Sequence, residues 1–178
     1  MWRAWYYFIK RIKNRNIFFV FLQILRKTER LHLVMGNDDT IKLLKECDAG
    51  SKMAVSSIDD VLDNVKSNDM LELLKETKKH HEKLGNDLHA MLNEHHVDEK
   101  EPSMIAKGMS KMKTNVKMGM DHCDETIADL MVDGCDMGIK SLQKYLNKYP
   151  AADKTTKDIC NRLISIEDEL RRKLYAYL

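Results

Sequence analysis

The sequence predicts an all-α fold, an antiparallel four-helix bundle, on three observations. Apolar residues recur with the helical period of 3.6 throughout residues 35–178. No stretch alternates with period two over strand length, and no Asn-Gly or Asp-Gly hairpin stands between β-branched runs. The long amphipathic stretches are separated by short polar turns, which is the pattern of antiparallel neighbours.

The first helix of this body is expected from about residue 39 to 65, capped by Asn37 or Asp38, with a stripe of Ile41, Leu44, Val55, Ile58, Leu62 and Val65. Ser67-Asn68-Asp69 ends it and supplies the next N-cap. The second helix, about 70 to 94, carries Leu71, Leu74, Leu84, Leu88, Met91 and Leu92. A polar turn leads to Pro102, which suits an early helical position, and Met104, Ile105, Met109, Met112 and Val116 follow at helical spacing. This segment is an extra helical extension before the third long helix, interrupted at Met118-Gly119-Met120-Asp121. The third long helix runs to about residue 148 with Ile127, Leu130, Met131, Met137, Leu142 and Tyr145, and Gly134 and Gly138 are expected to allow close helix approach. After Pro150 the last helix, about 153 to 177, carries Ile159, Leu163, Ile166, Leu170 and Leu174. The ten methionines after Met35 are read mainly as core filler.

Composition divides the chain in two. Residues 1–34 hold eight basic residues and the single acid Glu29, a net of +7, which leaves −5 for residues 35–178 in a chain of +2. Both Trp and all four Phe fall in this head, and all seven Gly and both Pro fall outside it. The run Ile17–Leu25 is shorter than the roughly 20 residues of a membrane span, and no small-residue cleavage site follows it. The head therefore reads as sequence outside the core, with Met35 the leading candidate for the true start. An interfacial anchor on an anionic leaflet and a genuine extra helix remain open, and membrane contact is expected only if the head is real. Residues 35–178 form the four-helix domain.

Several function classes are excluded. There is no Walker loop, no Gly-x-Gly-x-x-Gly and no Gly-x-Ser-x-Gly. The net acidic body argues against nucleic acid, and the basic run Lys107, Lys111, Lys113, Lys117 reads as a solvated face. Cys47, Cys123, Cys135 and Cys160 lack Cys-x-x-Cys spacing, so neither a zinc knuckle nor a redox pair is indicated. Reduced thiols suit the cytoplasm.

Polar residues on the apolar stripes are the best pointers to chemistry. Asp48 lies seven residues from both Ile41 and Val55, His81 seven from Leu74 and Leu88, and Cys135 seven from Ala128 and Leu142. Glu167 stands seven from both Cys160 and Leu174, on the flank of its stripe. Asp, His, Cys and Glu all ligate divalent metals, so Asp48, His81, Cys135 and Glu167 form a candidate site for iron, manganese or zinc. The alternative is a structural polar layer in which His81 satisfies buried carboxyls, with no metal and no other cofactor. That second outcome is the expected one.

The four-helix order, His81 in HHEKLGND and the stretch LMVDGCDMGIKSLQKYL resemble the ferritin-like superfamily, most closely a poorly characterised bacterial branch of short domains of unknown function. The resemblance covers most of residues 35–178. In the metal-binding members two helices each give a Glu and two give Glu-x-x-His, all pointing inward. Here Lys78 stands three residues before His81, and Gly134-Cys135-Asp136 places a thiol where that branch has an acid. Glu167 is followed three residues later by Leu170 instead of His. The resemblance therefore implies a degenerate metal site and a non-enzymatic interaction or self-association module, with a protein partner or a second copy to bind.

A histidine phosphotransfer module is the remaining alternative. That motif wants Lys three residues and Gly four residues after the phosphorylated His. His81 has Lys83 at +2 and Gly85 at +4, while His80 has Lys83 at +3 and Gly85 at +5. Neither register satisfies both, and His80 is the one expected to face solvent.

Overall fold

The structure, a computed structural model, describes residues 15–95 and 123–178, and side chains within 15–36 only in part. Every regular element among the described residues is helical. They are α1 (Arg15–Leu62), α2 (Asn68–Glu94), α3 (Asp124–Lys148) and α4 (Lys154–Leu174), followed by one 3₁₀ turn (Tyr175–Tyr177). The extra helical extension, the interruption at Met118–Asp121 and the basic run beginning at Lys107 lie outside the described residues.

Local chemistry sets three of the helix starts. Ser67 caps α2 by accepting from the Met70 N–H, and Asp153 caps α4 by accepting from the Thr156 N–H at 2.7 Å. Asp124 and Glu125 stand in the first turn of α3, where negative charge suits the helix dipole. Arg171, Arg172 and Lys173 close α4 with the complementary sign.

The first helix differs from expectation. It does not begin at residue 39 behind an Asn37 or Asp38 cap, but runs unbroken from Arg15. Asn and Asp cap well yet cost only tenths of a kcal/mol inside a helix, so they permit a boundary without enforcing one. Gln23, Ile24, Arg26, Lys27 and Thr28 are exposed, and the first buried residue described is Thr40.

Polar clamps join the ends of the helices. At one end Asp124, opening α3, accepts from the Lys66 and Ser67 N–H groups of the α1–α2 turn, both at 2.8 Å. At the other end the α3–α4 turn docks on α1. There the Ala151 N–H donates to Asp39 and the Asp153 N–H to Thr40 Oγ1, both at 2.9 Å. Inter-helix ion pairs add Lys78 with Asp59 at 2.6 Å and Arg171 with Asp136 at 2.8 Å.

The apolar interior forms two clusters. One gathers Leu43, Leu44, Cys47, Leu84, Leu88, Leu92, Leu142, Ile159, Cys160 and Leu163 with Tyr149 and Ala152. The other gathers Ile58, Val61, Met70, Leu74, Ile127, Ala128, Met131, Val132, Cys135, Leu170 and Leu174. All four helices contribute to both. Met137, assigned to the third stripe from sequence, is instead 62% exposed. The buried steps of α3 run Ile127, Met131, Cys135 and Leu142, and residue 137 falls off that line by more than half a turn.

Candidate functional site

Between the two apolar clusters each helix turns a polar or small residue inward: Asp48 and Ser51 from α1, Thr77 and His81 from α2, Gly138 from α3 and Glu167 from α4. Each lies in sequence between that helix's members of the two clusters. Asp48, Ser51, Thr77, His81 and Glu167 are all buried, His81 to 1% exposure. Cys135 is buried at the edge of the second cluster. The four residues singled out from sequence, Asp48, His81, Cys135 and Glu167, thus all point into the protein.

They do not all meet. His81 Nε2 lies 3.5 Å from Glu167 Oε1, close but long for a formed hydrogen bond. The Cys135 thiol faces the Glu167 carboxyl closely enough for the two to shift each other's titration. Asp48 turns along its own helix to Lys52, with Oδ2 2.9 Å from Nζ. Its other oxygen, Oδ1, and both ring nitrogens of His81 are buried without a hydrogen-bond partner.

Burial controls protonation here. Desolvation lowers His81 to about 4, with a smaller push from His80, so the imidazole is neutral near pH 7. Burial raises Glu167 to about 7, against the opposing pull of Cys135. Burial, with Glu167 alongside, pushes the Cys135 thiol up and keeps it protonated. Between about pH 4 and 7 a protonated Glu167 faces a neutral imidazole, which avoids the several kcal/mol that an isolated buried charge costs.

Two contributors escaped the sequence reading. Ser51 donates to the His81 carbonyl oxygen at 2.7 Å, tying α1 to α2 at the layer. Gly85 allows that approach, because a Cβ there would stand 3.4 Å from Ser51 Oγ. The glycines of α3 divide in role. A Cβ at Gly138 would meet the Glu167 carboxyl at 3.5 Å, whereas Gly134 has open space around it and takes no part in helix approach. A serine three residues beyond Asp48, facing a glycine four beyond His81, was the available signal.

The two adjacent histidines have opposite environments. His81 is sealed inside, while His80 is exposed beside a shallow groove between α2 and α4 lined by Glu76, Ile166, Glu169 and Lys173.

Among the described residues, no three His, Cys, Asp or Glu side chains gather in an arrangement that could hold a metal ion. None of the described helices is long and apolar enough to cross a membrane. Comparison with known proteins finds no matching family model, curated protein or solved structure.

Proposed function

We propose that the chain is an antiparallel ferritin-like four-helix bundle with a degenerate metal site, a non-enzymatic cytoplasmic module that acts by self-association or by binding a protein partner. The observation that carries this reading is that the inward ligand-type residues do not converge on one point. Asp48 turns to Lys52, away from the others, and Glu167 stands beside neutral His81 and the Cys135 thiol, so the layer reads as polar packing that fixes helix register. Chain direction supports the ferritin-like topology. The α1–α2 turn meets the start of α3 and the α3–α4 turn meets α1 at Asp39 and Thr40, so α1 and α4 run one way and α2 and α3 the other. The end of α2 and the start of α3 therefore lie at opposite ends of the bundle, the arrangement of the second and third helices in ferritin-like folds. Exposed Met137, Tyr175 and Leu178 offer apolar surface for a partner or a second copy to cover.

The test is elemental analysis of protein purified without chelator, combined with sedimentation velocity over a concentration series. Substoichiometric iron, manganese and zinc together with concentration-dependent association is the expected result. Stoichiometric metal that disappears in Asp48→Ala or His81→Ala would overturn it in favour of a metal-binding protein. The exposure of His80 favours one second reading, a phosphotransfer module. Phosphoryl transfer from a phosphorylated response-regulator receiver to His80, lost in His80→Gln, would establish that instead.

A further inference from the structure

The α3–α4 turn docks on α1 at Asp39 and Thr40, yet the same helix runs unbroken from Arg15. At 1.5 Å per residue the stretch before Asp39 measures roughly 35 Å along the helix axis. In sequence this stretch divides by face. With 3.6 residues per turn, Ile17, Val20, Phe21, Ile24, Leu25 and Leu31 fall on one arc of about 140°. Arg15, Arg26, Lys27 and Arg30 fall on the opposite side. Phe19, Leu22 and Leu33 stand outside the apolar arc, which concentrates the apolar residues without holding them all. Ile24, on the arc, is 55% exposed, and Arg26 and Lys27 opposite it are exposed as well. Nor does the arc continue the bundle-facing stripe. Leu43, Leu44, Cys47, Ile58 and Val61, the α1 members of the two apolar clusters, centre about a third of a turn round the helix from it.

We propose that residues 15–34 of α1 are a docking helix for an anionic lipid surface, lying along the headgroup plane with the apolar arc inward and the bundle to one side. Charge selects the occupant. The four cations stand against the single acid Glu29, a net of +3, while residues 35–178 carry −5. An anionic leaflet attracts the helix and repels the body, so contact is confined to the helix. Packing against a second copy would instead set one +3 helix on another. Aromatic and aliphatic bulk on one face with Arg and Lys on the other is the chemistry of an interfacial helix. The helix rests on the bilayer without crossing it, because no described helix is long and apolar enough to span. The third-of-a-turn offset is what lets a flat surface reach the arc, since the bundle then stands beside the helix and not beneath it.

The test incubates the full chain with sucrose-loaded vesicles of phosphatidylcholine alone, or with about 30 mol% phosphatidylserine, and measures cosedimentation at low and high salt. Binding to the anionic vesicles should be at least about tenfold tighter than to the neutral ones and should weaken in high salt. Ile24→Asp should reduce it about tenfold or more without moving Tm, because that side chain is exposed. Arg26→Glu combined with Lys27→Glu should erase the preference for anionic vesicles. Equal binding to both vesicles, or binding to neither, would overturn the proposal. A lower Tm in Ile24→Asp would do the same, by placing the arc against the chain's own bundle. Loss of concentration-dependent association in Ile24→Asp, with vesicle binding unchanged, would give the arc to a second copy instead.

Discussion

His81 Nε2 and Glu167 Oε1 stand 3.5 Å apart with burial acting on them in opposite senses, lowering the imidazole to about 4 and raising the carboxyl to about 7. Their pH linkages therefore oppose each other. Buried neutral His81 favours folding above its unfolded pKa near 6.5, and that contribution is lost as pH falls towards 4. Glu167 imposes no penalty below about 4.5, and its penalty grows as pH rises towards 7. The two slopes overlap and largely cancel in the native protein. Glu167→Gln should uncover the histidine slope, with stability climbing on the order of 3 kcal/mol between pH 4 and 6.5. His81→Gln should uncover the opposite slope, with stability falling between pH 4.5 and 7. Urea titrations at half-unit pH steps measure both, and parallel profiles in the two variants would refute the pairing.

Gly134 sits in the interior of α3 with nothing within 4 Å of the place its Cβ would occupy. Gly134→Ala should therefore stabilise the protein by about 1 kcal/mol through helix propensity alone. A denaturation midpoint that fails to rise would mean that some neighbour needs that space.

Asp124 holds the α1–α2 turn through two charge-assisted bonds from the Lys66 and Ser67 N–H groups. Asp124→Ala should cost about 1–3 kcal/mol. Asp124→Asn should recover part of it, since the amide oxygen still accepts one bond. Equal stability of the alanine variant and the parent in urea would show the clamp to be energetically idle.

Removal of residues 1–34 tests whether the basic aromatic head belongs to the folded core. The described burial begins at Thr40, and the clamps on α1 at that end use Asp39 and Thr40. The truncated chain should keep its Tm within a few degrees by differential scanning calorimetry. A larger fall would place the head in the core.

Sequence periodicity located the inward residues but not their partners. Seven-residue steps put Asp48, His81, Cys135 and Glu167 inside because a helix's own geometry fixes which residues share a face. Which of them touch depends on the axial offset between helices, and no single stripe encodes that offset. Asp48 therefore could be assigned a depth but not foreseen on Lys52. Met137 was misplaced because sparse apolar positions leave the phase of α3 loosely defined. Asn37 and Asp38 carried a start signal that the backbone of α1 runs straight through.

The polar layer also governs how disturbance travels through the interior. With Asp48, Ser51, His81 and Glu167 standing between the two apolar clusters, side chains on either side do not form one continuous packing lattice. Large-to-small changes at Leu44 and Leu163, both in one cluster, share neighbours and should show coupling energies in a double-mutant cycle. Leu44 combined with Leu170, one from each cluster, should come close to simple additivity. Mutational tolerance is thereby partitioned, and each half of the core can drift in sequence while the other stays fixed.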